Sequence, residues 1–153
     1  MEVMEPTDFV VRCEFEREGI IVPPEARFMG FDPDFVLQIF DYTPMQVKSL
    51  YDKCRISPEI IYRDKNIVQE RLIGSEQTDC FHEYRVEISG NSKIPINGKI
   101  SIVVVLEGTG IITASGERVH IHRGSKLLIA ASAAELTIQP EQNSILKLLL
   151  CTP

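Results

Sequence analysis

From Ser57 onward polar and apolar residues alternate with the period of a β-strand, whereas between Asp32 and Cys54 the apolar residues recur at helical spacing. The segment "FHEYRVEIS" sets Tyr84, Val86 and Ile88 on one side and Glu83, Arg85 and Glu87 on the other, and it runs into the turn-like "GNS". The remainder, "KISIVVVLEGTGIITASGERVHIHRGSKLLIAASAAELTIQPEQNSILKLLL", divides into short strands at "EGTG", "SGE", "RGS" and "PEQNS". Short strands at that interval predict a sandwich, jelly roll or barrel. No solenoid-length repeat and no low-complexity tract interrupts them.

The first third has a different texture. Residues Phe9 to Phe15 alternate as a β-prone arm, and "GIIVPP" reads as a turn and a second short strand closed by Pro23-Pro24. In "DPDFVLQIFDY", Asp32 is a cap and Pro33 occupies the first helical position, with Phe35, Ile39 and Phe40 at helical spacing. In "TPMQVKSLYDKC", Thr43 and Gln46 fit a capping box, and Val47, Leu50, Tyr51 and Cys54 share a face. Two short helices follow from this pattern, with apolar faces suited to packing on a core.

Composition narrows the function more than the fold. The 153 residues, 44% apolar and 25% charged, suffice for a folded domain with a real core. A net charge of −6 and a pI near 5.1 argue against a phosphate-binding face, so nucleic acid is not an expected partner. No apolar run reaches the roughly 18 residues a membrane span needs, and "MEVMEPTD" is acidic where a signal peptide is basic and then apolar. These features predict a cytoplasmic protein without a membrane partner. Cys13, Cys54, Cys80 and Cys151 form no C-x-x-C pair and read as free thiols, with Cys13 distinguished by its neighbour Arg12.

The stretches "GKISIVVVLEGTG" and "SGERVHIHRGSKLLIAASAAE" follow the strand and glycine-turn order of cupins, with Glu107-Gly108 as the anchor. Residues 98 to 150 therefore resemble the cupin superfamily of small double-stranded β-helix jelly rolls. At the other end, "EVMEPTDFVVRCEFER" resembles the segment that follows the metal-binding cupin of type I mannose-6-phosphate isomerases, with Thr7, Asp8 and Arg12 in its Ser/Thr-Asp-x-x-x-Arg pattern. The segments "FDYT" and "ERLIGSEQTDCF" resemble bacterial members of the same group.

The resemblance implies a mainly β protein. Residues 1–55 would form an N-terminal arm and helical segment, the remnant of a preceding catalytic cupin region. Residues 56–153 would form a C-terminal cupin-like jelly roll. It implies the C-terminal, metal-free part of a sugar-phosphate isomerase that interconverts mannose 6-phosphate and fructose 6-phosphate, inactive alone. Zinc is expected only in the full-length enzyme, because the family's Gln, two His and Glu ligands precede the arginine strand. The other reading is a non-catalytic cupin used for sugar binding or subunit assembly. The expected partners are a second copy of the chain, through pairing or exchange of the arm, or a metal-binding cupin; a sugar phosphate is the expected ligand.

Only Arg12 inherits a catalytic role from the motif. A fixed guanidinium near the enediolate oxygen is a sensible stabiliser of aldose-ketose isomerisation; the plain reading is a surface arginine paired with Glu14 or Glu16. Asp8 either holds Arg12 or caps a turn, and Glu5-Pro6 reads as a bend. Cupin metal sites take a His-x-His and a Glu before the first Glu-Gly turn and a further His after the later glycine turn. Here "PINGKISIVVVLEG" holds no histidine, and "GSKLLIAASAAE" places Ala130, Ser132 and Glu135 where proline, glycine and histidine would stand. His120 and His122 fall between these regions and share the face opposite Val119 and Ile121, so they are expected outside the barrel and not in a metal site. His82 alternates onto the side of Tyr84 and Val86, which predicts a hydrogen-bonded histidine of core or cleft.

Overall fold

A computed structural model describes residues 14–142 and 144–153. The chain divides into two compact units between Cys54 and Arg55. In the N-terminal unit, β1 (Glu16–Arg17) and β2 (Ile20–Ile21) pair antiparallel around Glu18 and Gly19, both at positive φ. Three short helices follow, α1 (Pro24–Arg27), α2 (Pro33–Leu37) and α3 (Val47–Cys54). The sequence pattern predicts two; the additional α1 begins at Pro24, whose fixed φ suits a first helical residue as well as a turn.

Asp32 caps α2 as expected, its carboxylate accepting the N–H groups of Asp34 at 2.9 Å and Phe35 at 3.2 Å. The predicted capping box at Thr43 does not form. Asp41 Oδ1 takes the Thr43 N–H at 2.9 Å in a local turn, and the next helix starts only at Val47, with Leu50 N–H bonded to Gln46 O. The predicted apolar faces are also corrected. Phe35, Ile39 and Phe40 are exposed, the last two beyond the end of α2, and Val36 is the buried residue of that helix. Val47, Leu50, Tyr51 and Cys54 all lie at the surface of α3.

The C-terminal unit contains β3 (Glu59–Arg63), β4 (Ile67–Ile73), β5 (His82–Ile88), β6 (Ser92–Pro95), β7 (Ser101–Glu107), β8 (Thr109–Ala114), β9 (Glu117–His122), β10 (Lys126–Ile129), β11 (Glu135–Pro140) and β12 (Leu146–Thr152). They form a six-stranded sheet ordered β10-β7-β12-β5-β4-β3 and a four-stranded sheet ordered β6-β11-β8-β9, all pairs antiparallel. Alternation supplies the core: Val86 and Ile88 from β5, Val103 and Val105 from β7, Leu136 and Ile138 from β11, and Leu146, Leu148 and Leu150 from β12 all turn inward. Each such side chain contributes about 1.5–3 kcal/mol by leaving water.

The Glu107-Gly108 turn fixes the passage from β7 to β8. Gly108 has φ +87°, and a Cβ there would lie 2.3 Å from the Ile145 carbonyl oxygen, so only glycine fits. Among the described residues no helix is long and apolar enough to cross a membrane.

Candidate functional site

Where β6 gives way to β7, the chain crosses one end of the barrel. Pro95 ends β6 opposite Glu135, and Ile96 N–H bonds Ala134 O at 3.0 Å. Asn97 and Gly98, both at positive φ, then turn the backbone, and Lys99 N–H returns to Ile96 O at 3.1 Å. Under this turn lies a cavity of about 260 Å³. Ile61, Ile94, Ile96 and Leu150 provide its apolar walls, and Gln69, Tyr84, Asn97, Lys99 and Thr152 provide its polar groups. Lys99 Nζ donates to the Pro153 carbonyl oxygen at 2.7 Å. The side chains of Gln69, Tyr84, Asn97 and Thr152 make no hydrogen bond among the described residues, which leaves amide and hydroxyl groups available over an aliphatic surface.

His82 lies on the Tyr84 side of β5, as the alternation predicts, and its ring stacks on Tyr84 at 6.3 Å between centroids and 11° between planes. The expected hydrogen bond is not found at Nδ1, which is buried and without a partner among the described residues. Aromatic stacking with Tyr84 positions this ring instead.

The cupin pattern meets this cavity at one of its two ligand regions. Its first ligand region here supplies Pro95, Ile96, Asn97 and Lys99 to the cavity, while farther along β7 the inward positions are Ser101, Val103 and Val105. Glu135, in the place of the last histidine, is ion-paired with Lys93. No group of three His, Cys, Asp or Glu side chains with metal-binding geometry occurs among the described residues. An amide, a proline ring and a carboxylate already held by an ammonium group do not make a zinc site, whose ligands are usually thiolate, imidazole and carboxylate.

His120 and His122 are exposed on β9, with Ile121 buried between them, in accord with the alternation. Val119 remains 43% exposed despite sharing the inward side with Ile121. The His122 ring is occupied locally, Nδ1 lying 3.0 Å from Arg123 O. Thr7, Asp8, Arg12 and Cys13 lie outside the described residues.

A second hollow of about 330 Å³ lies on the outward side of the six-stranded sheet, lined by Arg63, Glu70, Arg85, Glu87 and Lys147. Two of its charges pair with each other and a third pairs with a residue outside the hollow. Arg85 pairs with Glu70 at 2.7 Å, which holds the guanidinium pKa above its usual value, and Lys147 pairs with Glu107 at 2.7 Å with the same effect on its ammonium group. The barrel mouth, whose Gln69, Tyr84, Asn97 and Thr152 side chains hold no hydrogen bond among the described residues, is the better candidate. Sequence alternation marks Tyr84 as inward but gives no sign that Gln69, Asn97 and Thr152 meet it, because they come from β4, a turn and β12.

Two antiparallel sheets closed around an aliphatic core, with a cavity at one end, define a cupin-type jelly roll. Residues 75–147 match the family model of the mannose-6-phosphate isomerase cupin domain, just under half of the chain. The fold is similar to that of mannose 6-phosphate isomerase from Bacillus subtilis, with a TM-score of 0.52 and 20% identity over 63% of this chain and 28% of that one. It is also similar to the polyketide cyclase RemF from Streptomyces resistomycificus, with a TM-score of 0.52 and 20% identity over 64% of this chain and 73% of that one. Ectoine synthase from P. lautus gives a TM-score of 0.50 and 16% identity over 60% of this chain and 67% of that one. No curated protein matches the chain in sequence. The C-terminal unit thus has a cupin-type fold and, over residues 75–147, is similar to the cupin domain of mannose-6-phosphate isomerase, and at these identities the solved structures speak for the fold alone.

Proposed function

We propose that this chain is the C-terminal, metal-free part of a cytoplasmic mannose-6-phosphate isomerase-like protein, and that its barrel binds a polyhydroxylated ligand of sugar size without transforming it. The observation that carries the reading is the barrel mouth: among the described residues the side chains of Gln69, Tyr84, Asn97 and Thr152 hold no hydrogen bond and line one cavity, and Asn97 comes from the first ligand region of the cupin pattern. Such groups suit hydroxyls, and the Tyr84 ring and neighbouring aliphatic side chains suit the apolar side of a sugar ring. Turnover then depends on a metal-binding cupin, to whose site Arg12 would add a cation for the enediolate oxygen.

The test is direct. Purified protein, with and without added zinc, is assayed for conversion of mannose 6-phosphate to fructose 6-phosphate, its metal content is measured, and binding of mannose and mannose 6-phosphate is followed by amide chemical shifts. The reading expects no turnover, no stoichiometric zinc, and shifts clustered at Gln69, Tyr84, Asn97 and Thr152 that vanish in Tyr84→Ala. One metal per chain or zinc-dependent turnover would overturn the metal-free assignment, and shifts absent from the mouth would overturn the ligand.

A further inference from the structure

We infer that β10 is an interface edge, to which β10 of a second copy of this chain adds antiparallel about a two-fold axis at Leu128. Among the described residues the two sheets end in four edge strands, β10 and β3 in one and β6 and β9 in the other. An edge strand presents unpaired N–H and C=O groups, and sequences guard against unwanted pairing with charges, proline or bulges. Three of these edges are guarded. Strand β3 carries Glu59 and Arg63 and a register shift between Ile60 and Tyr62. Strand β6 carries Lys93 and Pro95, and β9 presents Arg118, His120 and His122 to solvent.

Strand β10, as short as β6, carries one such device, Lys126 at its start, but no proline and no register shift, and its other three residues are apolar. It reads Lys-Leu-Leu-Ile, pairs with β7 without a register shift, and leaves Leu128 69% exposed. Val105 N–H donates to Ser125 O at 2.9 Å, so the alternation of an antiparallel ladder turns the backbone groups of Lys126 and Leu128 to the open side.

The edge is also complementary to itself. A two-fold axis at Leu128 sets Leu128 against its own copy and Leu127 against Ile129 of the other copy, apolar against apolar on both sides of the joined sheet. On the outer side Leu128 stands beside Ile102, 49% exposed, and Ile102 beside Cys151, so the second copy prolongs an existing apolar row. The two Lys126 residues fall at opposite ends of the paired strands, about 13 Å apart along the strand direction, and do not oppose each other.

Sedimentation velocity on the full chain from about 1 to 300 µM is expected to show a concentration-dependent dimer, as a short edge interface implies. Leu128→Lys changes an exposed side chain, keeps the fold by circular dichroism, and is expected to weaken the dimer at least about thirty-fold. Val119→Lys on β9 should leave it unchanged. In a background with Cys13, Cys54 and Cys80 replaced by Ser, mild oxidation should join Leu128→Cys chains into covalent dimers, the opposed Cα atoms being about 5.5 Å apart. A monomer across the range, a dimer indifferent to Leu128→Lys, or cross-linking through Val119→Cys in place of Leu128→Cys would overturn the assignment.

Discussion

Glu135, which stands where the cupin pattern would put its last histidine, is ion-paired with Lys93 across β11 and β6. Both side chains are well exposed, so the pair adds under about 1 kcal/mol. Lys93→Ala is therefore expected to shift the chemical-denaturation midpoint only slightly. Glu135→His, titrated with zinc and followed by calorimetry, should still give no one-to-one site, since Pro95 and Asn97 provide no thiolate or imidazole beside it. A tight stoichiometric site in that variant would show that further ligands stand beside position 135.

Gly108→Ala tests the turn on which the jelly roll is built. The added Cβ meets the Ile145 carbonyl oxygen at 2.3 Å, and the left-handed φ of +87° adds strain, so a loss of about 3 kcal/mol is expected in equilibrium unfolding. Gly116→Ala, equally left-handed but with nothing within 4 Å of its Cβ, should cost clearly less. Equal losses would show that backbone strain, and not the close approach, makes glycine necessary at 108.

The β3–β4 hairpin should loosen in acid. Asp64 Oδ1 accepts Asn66 N–H at 2.7 Å and Ile67 N–H at 3.1 Å, and chiefly the Asn66 bond holds the carboxyl below its ordinary range. A lowered native pKa means that the contribution is complete above about pH 4 and is lost as pH falls through the lowered value. Amide exchange at Asn66 and Ile67, corrected for its intrinsic pH dependence, should accelerate over that interval, and Asp64→Ala should remove the dependence.

Thiol chemistry should separate the cysteines. Burial, with a smaller effect of Glu83, pushes the Cys151 thiol up, whereas Cys54 and Cys80 are exposed. At pH 8 an aromatic disulfide reagent is expected to modify Cys54 and Cys80 at least about ten-fold faster than Cys151. The stabilisation from keeping Cys151 protonated is complete below the usual thiol range and fades as pH rises through the raised native value.

Alternation along the sequence marks β5 and the strands from β7 onward, because one buried side forces a two-residue period that Val86 and Ile88 or Leu136 and Ile138 display without ambiguity, whereas β3, β4 and β6 are not resolved by it. The sequence likewise identified Asp32-Pro33 as a helix start, a local matter of one carboxylate and two N–H groups. It misplaced the start of α3, where Asp41 competes for the Thr43 N–H, and it gave Phe35, Ile39 and Phe40 a packing face that Val36 holds alone. Such choices depend on competing local bonds and on which turn of a short helix meets a neighbour. Only the tertiary structure decided that Gln69, Tyr84, Asn97 and Thr152 share one cavity and that Glu135 faces Lys93. Strand order brings these residues together across long stretches of chain, and strand order follows from the packing of two whole sheets and is not written in any one segment.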